Sequence, residues 1–248
     1  MYVDGYDLSG YSRSVGPLTV EHDTPELTSW TDTVKGYLPN HPQVTLGEYN
    51  AVFDNTATTG LHALVNGAGV KRTALVAIGM RAAPVAGDVC FGGQFTQSGY
   101  SAVDDGGAVV VSIPFAGWAG DATSLGYGKG FGQLLHASGA ETGVNAAVGV
   151  DNDAAAATTR GGYMVYQVLA SSNAAHTATL KVQDSATNAD DASFSDLASA
   201  TTGVITVTAG VSGIVAIGAS ATVRRYLRWQ IVLGTATSVS FVLSFHRA

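Results

Sequence analysis

The sequence contains few charged residues and only one cysteine. Asp, Glu, Lys and Arg make up 12% of its 248 residues, whereas 46% of the residues are hydrophobic. A soluble monomer usually carries more surface charge, so this composition predicts neutral surface that self-association would cover. The single cysteine, Cys90, excludes a disulfide within the chain and a cysteine-based metal site. Its apolar neighbours predict a buried thiol.

Features that direct a chain to a membrane or to nucleic acid are also missing. No apolar run reaches the length of a bilayer span, and we expect neither a signal peptide nor a membrane partner. The net charge of −7 disfavours tight binding to a phosphate backbone, which requires clustered Lys and Arg. The one basic cluster, at residues 224–228, holds three arginines, and we interpret these as partners of aspartates on adjacent strands or subunits.

The residues that catalysis requires do not occur in a usable pattern. The six histidines are scattered and show no metal-binding spacing. The acid-rich stretches 151–153 and 188–191 lack the glycine and the distant glutamate of a calcium loop, which favours turns. Residues 126–130 are rich in glycine but lack the Gly-Lys-Ser/Thr signature of a phosphate loop. We therefore expect no enzyme activity, no catalytic or metal-binding residues and no cofactor.

Composition and alternation predict a mainly β fold with one short helix. Gly, Ala, Val, Thr and Ser dominate, as is typical of strands joined by tight turns. Strands are predicted over 44–53, 73–80 and 88–98. A turn signal at residues 104–107 predicts that 94–103 and 108–118 pair as a long hairpin. A helix is predicted over 58–66, ended by Gly67.

A glycine-rich segment, residues 117–132, predicts a domain boundary. About eight short strands follow it, including 162–170, 178–184 and 226–233. This pattern is typical of a β-sandwich of jelly-roll or immunoglobulin-like type. The expected domains are residues 1–122 and an outward-facing sandwich at residues 123–248.

Residues 16–42 form a long polar segment that contains four of the six prolines and no helical or strand period. A connection of this length usually is a binding loop or is disordered. The segment also carries apolar side chains, which disordered segments largely lack. We expect them to be buried on a neighbouring subunit, which makes the candidate assembly interface Leu18, Leu27, Trp30, Tyr37 and Leu38.

The N-terminal residues resemble the start of the tail tube proteins of long-tailed bacteriophages. The resemblance rests on the run Asp-Gly-Tyr-Asp-Leu-Ser-Gly-Tyr at residues 4–11, on the pair Glu26-Leu27 in the loop, and on a strand that ends at Asp54. A surface turn is the alternative interpretation of residues 4–10. The resemblance implies a tail-tube-type β-sandwich or barrel in the first domain, with the second sandwich after it.

The resemblance also implies a structural virion protein that self-assembles into stacked, normally hexameric rings. These rings would form the tail tube, assembled in the host cytoplasm with other tail proteins, through which phage DNA passes without sequence-specific binding. Strands 44–53 and 73–80 and the hairpin 94–118 would supply the barrel. Asp104 and Asp105 are candidate lumen residues.

Two other functions fit the same sequence. One is a capsid decoration or baseplate protein. The other is a carbohydrate-binding sandwich, in which Trp229, Tyr226 or Tyr163 would stack on sugar rings.

Overall fold

The computed structural model describes residues 1–22, 24–26, 28, 33–35, 42–79, 82–118, 130–143, 145, 148–152, 159–173, 175–218 and 220–248. The fold is mainly β, as predicted. The strands in this part of the chain are β1 (Tyr2–Val3), β2 (Tyr6–Asp7), β3 (Ser12–Val15), β4 (Leu18–His22), β5 (Pro42–Leu46), β6 (Glu48–Val52), β7 (Val70–Ile78), β8 (Val89–Gln97), β9 (Ser101–Asp104), β10 (Val109–Trp118), β11 (Phe131–Glu141), β12 (Val150–Asp151), β13 (Gly162–Ser171), β14 (Thr177–Ser185), β15 (Ser195–Thr201), β16 (Ile205–Thr206), β17 (Val211–Ile217), β18 (Tyr226–Leu233) and β19 (Val239–Arg247). The α-helix α1 is Leu61–Val65, and 3-10 turns cover Ser9–Tyr11 and Asp191–Ser193.

The predicted hairpin and helix are both present, with different bounds. β10 pairs with β9 across the turn at residues 105–108 and continues along the end of β8. Gly106 and Gly107 form this turn with φ of 68° and 135°, which glycine adopts without strain. The helix is shorter than the predicted 58–66. Thr58 has φ of 67°, outside the right-handed helical region, so α1 begins only after Gly60.

The prediction of a strand-free segment over 16–42 was wrong at its two ends. β4 pairs with β5 in register, from Leu18 opposite Leu46 to His22 opposite Pro42. The predicted strand 44–53 is likewise two strands, β5 and β6, in different sheets. They separate at Gly47, whose N–H donates to the carbonyl of Pro17 at 2.9 Å.

The largest sheet has twelve strands and forks at β8. One edge of β8 pairs with β7 along its whole length. The other edge pairs with β11 at residues 89–91 and with β10 at residues 95–97. Two branches therefore leave β8: an N-terminal branch, β10–β6–β3 with β9 beside β10, and a C-terminal branch, β11–β19–β13–β17.

Glycine allows the two branches to meet. Gly92 and Gly93 lie between the two stretches of β8 that pair with different strands. A Cβ atom on Gly93 would stand 2.1 Å from the ring of Trp118. That ring contacts Phe95 and Tyr163 edge-on, with centroid separations of 5.9 and 5.5 Å. Trp118 of the N-terminal branch can reach Tyr163 of the C-terminal branch only because β8 has no side chain at Gly93.

A buried polar group lies close to the fork. His246 on β19 is fully buried, and its ring stacks on Tyr163 with 4.6 Å between centroids. Its Nε2 is 2.9 Å from the hydroxyl of Ser244. Burial lowers the pKa of His246 to about 3, so the imidazole is neutral. Cys90 is buried as predicted, and burial raises the pKa of its thiol to about 12.

The C-terminal branch forms one layer of the predicted β-sandwich. The other layer is a five-stranded sheet in the order β12–β18–β14–β15, with β16 beside β14. Leu180 and Ile231 from this sheet pack against Phe241 and Leu243 from β19. The sandwich therefore has an apolar core of its own, separate from the cluster around Tyr49 and Phe95 in the N-terminal branch.

The twelve-stranded sheet curls back on itself. Gln167 on β13 is fully buried, and its Nε2 donates to the carbonyl of Thr73 on β7 at 3.0 Å. The N–H of Gly5 donates to Oε1 of the same side chain. These bonds tie the C-terminal branch to β7 and to the turn between β1 and β2.

The predicted domain boundary at residue 122 lies outside the described residues. Strands from both sides of it share the twelve-stranded sheet, because β8 pairs with β11. The division into domains 1–122 and 123–248 therefore stays a prediction. If the two domains fold as separate units, they still contribute strands to the same sheet.

Candidate assembly surface

Four strands form the free end of the N-terminal branch. They lie in the order β9, β10, β6 and β3, each antiparallel to its neighbour, and we call them the ribbon. The inward side chains of the ribbon, including Tyr49 and Ile113, belong to the N-terminal core. One row of paired residues crosses all four strands: Ala102, Val111, Ala51 and Ser12.

The β9 edge of the ribbon is open. Within the described residues, β9 pairs only with β10. The N–H of Asp105 donates to the carbonyl of Ala108 at 2.9 Å, which closes the turn between the two strands. Hydrogen-bonded pairs alternate along an antiparallel ladder. Ala102 and Asp104 therefore direct their backbone N–H and C=O groups away from β10.

The β3 edge is open as well, since β3 pairs only with β6 among the described strands. The N–H of Gly16 donates to the carbonyl of Glu48 at 2.6 Å, and Ser14 is paired with Asn50. Val15, between them, points its backbone groups away from β6. Open edges of this kind are templates for pairing with another chain.

The outward face of the ribbon carries little charge. One cross-strand row consists of Ser101, Ser112, Asn50 and Ser14. The next row consists of Val103, Val110 and Val52, of which Val103 is 62% exposed. Glu48 is a charged residue on this face, and its carboxylate accepts a hydrogen bond from Ser112. This face is neutral surface of the kind that the composition predicts.

Charged side chains lie at the edges of the ribbon. Arg13 is the extra residue of a β-bulge in β3, and its Nη1 is 2.9 Å from Oδ2 of Asp105. Asp104 ends β9, and its carboxylate accepts a hydrogen bond of 3.4 Å from the N–H of Gly107. Both aspartates are exposed at the tip of the hairpin. Their role as lumen residues stays a prediction.

Of the five residues predicted to form the assembly interface, Leu18 lies in the described part of the chain. It begins β4, is partly buried, and packs against the N-terminal core. Leu27, Trp30, Tyr37 and Leu38 lie outside the described residues, so their role stays a prediction. The hairpin β4–β5, which leads into and out of their segment, lies beside β10.

Two of the three aromatic residues nominated for sugar stacking are buried. Tyr163 is 2% exposed and Trp229 is 6% exposed. Trp229 borders a cavity of about 360 Å³, but its ring packs edge-on against Phe241 in the core. Tyr226 is partly buried, with the guanidinium of Arg225 at 5.2 Å from its ring centroid. Core packing therefore excludes Tyr163 and Trp229 as sugar platforms, because sugar stacking needs an exposed ring face.

Each arginine at residues 224–228 is paired with an aspartate of the same chain. Asp184 and Asp151 lie on strands next to β18, as predicted, whereas Asp191 lies in a 3-10 turn. The guanidinium nitrogen to carboxylate oxygen distances are 3.9 Å for Arg224–Asp184, 2.7 Å for Arg225–Asp151 and 2.6 Å for Arg228–Asp191. In the described residues, no three His, Cys, Asp or Glu side chains are grouped so that they could hold a metal ion. No helix in the described part of the chain has the length and apolarity needed to cross a membrane.

No protein-family model matches the chain, and no curated protein matches it. Among solved structures, the chain is weakly similar to the SPP1 Dit protein (gp 19.1), described as a paradigm of the hub adsorption apparatus in phages that infect Gram-positive bacteria. The alignment covers 99% of this chain and 97% of that chain, with 14% identity and a TM-score of 0.32. A likeness at this level carries no argument about function.

Proposed function

We propose that the chain is a structural protein of a bacteriophage tail and that its copies join side by side into rings. The observation that carries this proposal is the ribbon, a neutral four-stranded sheet whose two outer strands each have one edge without a pairing partner among the described strands. Exposed sheet edges are a liability in a monomer. Pairing β3 of one copy with β9 of the next removes both ribbon edges, and a closed ring leaves no ribbon edge unpaired.

The strand order allows such a ring to close. The four strands of the ribbon alternate in direction, so β3 of one copy lies antiparallel to β9 of the next. Six copies would contribute about 24 strands spaced about 4.8 Å apart, and the resulting barrel would be roughly 37 Å in diameter before strand tilt. The barrel strands proposed here differ from those expected from sequence. β7 lies on the far side of β8 and β5 leaves the sheet, while β3 joins it.

The outward face of the ribbon suits a channel for DNA. Its serine, asparagine and valine rows offer phosphate groups no cluster of Lys or Arg, so DNA would pass without adhering. The resemblance of residues 4–11 to tail tube proteins supports the same function. In this proposal the rings stack into the tail tube of the virion, where they meet other tail proteins, and no cofactor is involved.

Negative-stain electron microscopy of the purified chain, combined with light scattering, tests this function. We expect hollow rings or tubes, and a particle mass that is a multiple of the subunit mass. Single rings that never stack would favour the baseplate alternative over the tube. A monomer that persists at high protein concentration would contradict the proposal.

A further inference from the structure

We propose that the two open edges of the ribbon recognise each other by charge, with Arg13 of one copy contacting the Asp104–Asp105 tip of the next. This inference rests on the proposed assembly and names the residues that decide which edges meet. The β3 edge carries one cation, Arg13, and the β9 edge ends in two anions, Asp104 and Asp105. We therefore expect the β3 edge of one copy to bind the β9 edge of a second copy.

Like edges are poor partners for each other. Two copies that joined through the same edge would pair antiparallel about a two-fold axis. In a β9–β9 contact the acidic tip of each strand would lie beside the start of the other strand and meet no cation, and in a β3–β3 contact Arg13 would meet no anion. Like charges on directly opposed strands destabilise a sheet, whereas opposite charges stabilise it. The charges thus favour head-to-tail contacts, which close into rings, over the symmetric contacts that stop at a dimer.

The positions of the charged residues along the strand direction agree with this pairing. Ala102 on β9 and Ser12 on β3 lie in one row across the ribbon. Arg13 follows Ser12 directly, and Asp104 lies two residues beyond Ala102. When copies join in register, the backbones of Arg13 and Asp104 differ in level by no more than about three residues, or roughly 10 Å. The two extended side chains can span that separation.

Within one copy, Arg13 already contacts Asp105, at 2.9 Å. The two side chains are 46% and 63% exposed, so the pair is solvated and exchangeable. The contact between copies would therefore replace an exposed pair by one at a strand junction.

Two variants with reversed charge separate a contact between copies from the contact within a copy. The first is Arg13→Asp, and the second combines Asp104→Asn with Asp105→Arg. Each variant alone places like charges on the edges that would meet, so we expect assembly to require at least tenfold more protein than for the wild type. An equimolar mixture alternates the variants and restores opposite charges at every junction. We expect it to assemble within about threefold of the wild-type concentration.

The mixture is decisive because the pair within each copy stays broken in both variants. A mixture that assembles no better than either variant alone would overturn the inference, as would single variants that assemble like the wild type. Reversal of the Arg225–Asp151 pair, which lies in the sandwich, is the matched control and should leave assembly unchanged. If the wild type itself stays monomeric, the proposed function fails as well, whereas wild-type rings with insensitive variants refute the charge recognition alone.

Discussion

Replacing Ala102 by proline is expected to leave the subunit folded and to prevent its assembly. Ala102 directs its N–H to the open edge of β9, so proline removes no hydrogen bond within the chain. Proline is tolerated on edge strands for this reason, and we expect the free energy of unfolding to change by less than about 1 kcal/mol. In a ring, the same change removes a donor from the new ladder at every junction, at a cost of roughly 1–3 kcal/mol each. Light scattering should therefore report monomers at concentrations where the wild type forms particles.

The matched control is Ala102→Val, which keeps the N–H and suits a strand. It should assemble like the wild type. Val15→Pro applies the same test to the β3 edge and should also give a folded monomer. Rings formed by both proline variants at the wild-type concentration would show that the ribbon edges do not join the copies.

Acidification is expected to destabilise the fold through His246. The pKa of this buried histidine is about 3 in the folded chain, against an ordinary value of 6.5. Between these values the unfolded chain binds a proton that the folded chain does not, so stability is complete above pH 6.5 and is lost as the pH falls towards 3. From pH 7 to pH 4.5 this histidine alone should lower the free energy of unfolding by roughly 2–3 kcal/mol.

Denaturant unfolding at several pH values measures this loss. Combining His246→Phe with Ser244→Ala keeps an aromatic ring against Tyr163 and leaves no unpaired hydroxyl. This variant should lack the His246 contribution, so its stability should fall less steeply between pH 7 and 4.5 than that of the wild type. Parallel curves for the two proteins would show that His246 is not buried as a neutral ring. NMR of the folded wild type at pH 5 should show a neutral imidazole at His246.

The sequence predicted those secondary-structure elements whose conformation depends on residues close to them in the chain. The turn at residues 104–107 forms the hairpin from its own backbone preferences, and β18 has the bounds predicted from its apolar pattern. The composition likewise predicted neutral surface, and the outward face of the ribbon shows it. What is encoded within ten residues of chain could therefore be predicted from the sequence.

Contacts between distant residues decided the rest. The alternation of residues 44–53 continues through Gly47, but the carbonyl of Pro17, thirty residues earlier, ends the strand there. The fork at β8 depends on the contact between Gly93 and Trp118. The residue pattern of β8 does not indicate that one of its edges pairs with two different strands, β10 and β11. β3 was missed because its four residues, three of them exposed and one partly buried, show no apolar alternation. The open edges that carry the proposed function follow from these contacts, so the sequence alone did not indicate them.

Amide hydrogen exchange, read by mass spectrometry before and after assembly, tests the central claim that copies join through the ribbon edges. In the free subunit the outward amides of Ala102, Asp104 and Val15 have no partner in the described chain and should exchange quickly. We expect peptides covering β9 and β3 to become strongly protected in the assembled particle. Particles in which these two strands exchange as fast as in the free subunit would contradict the claim.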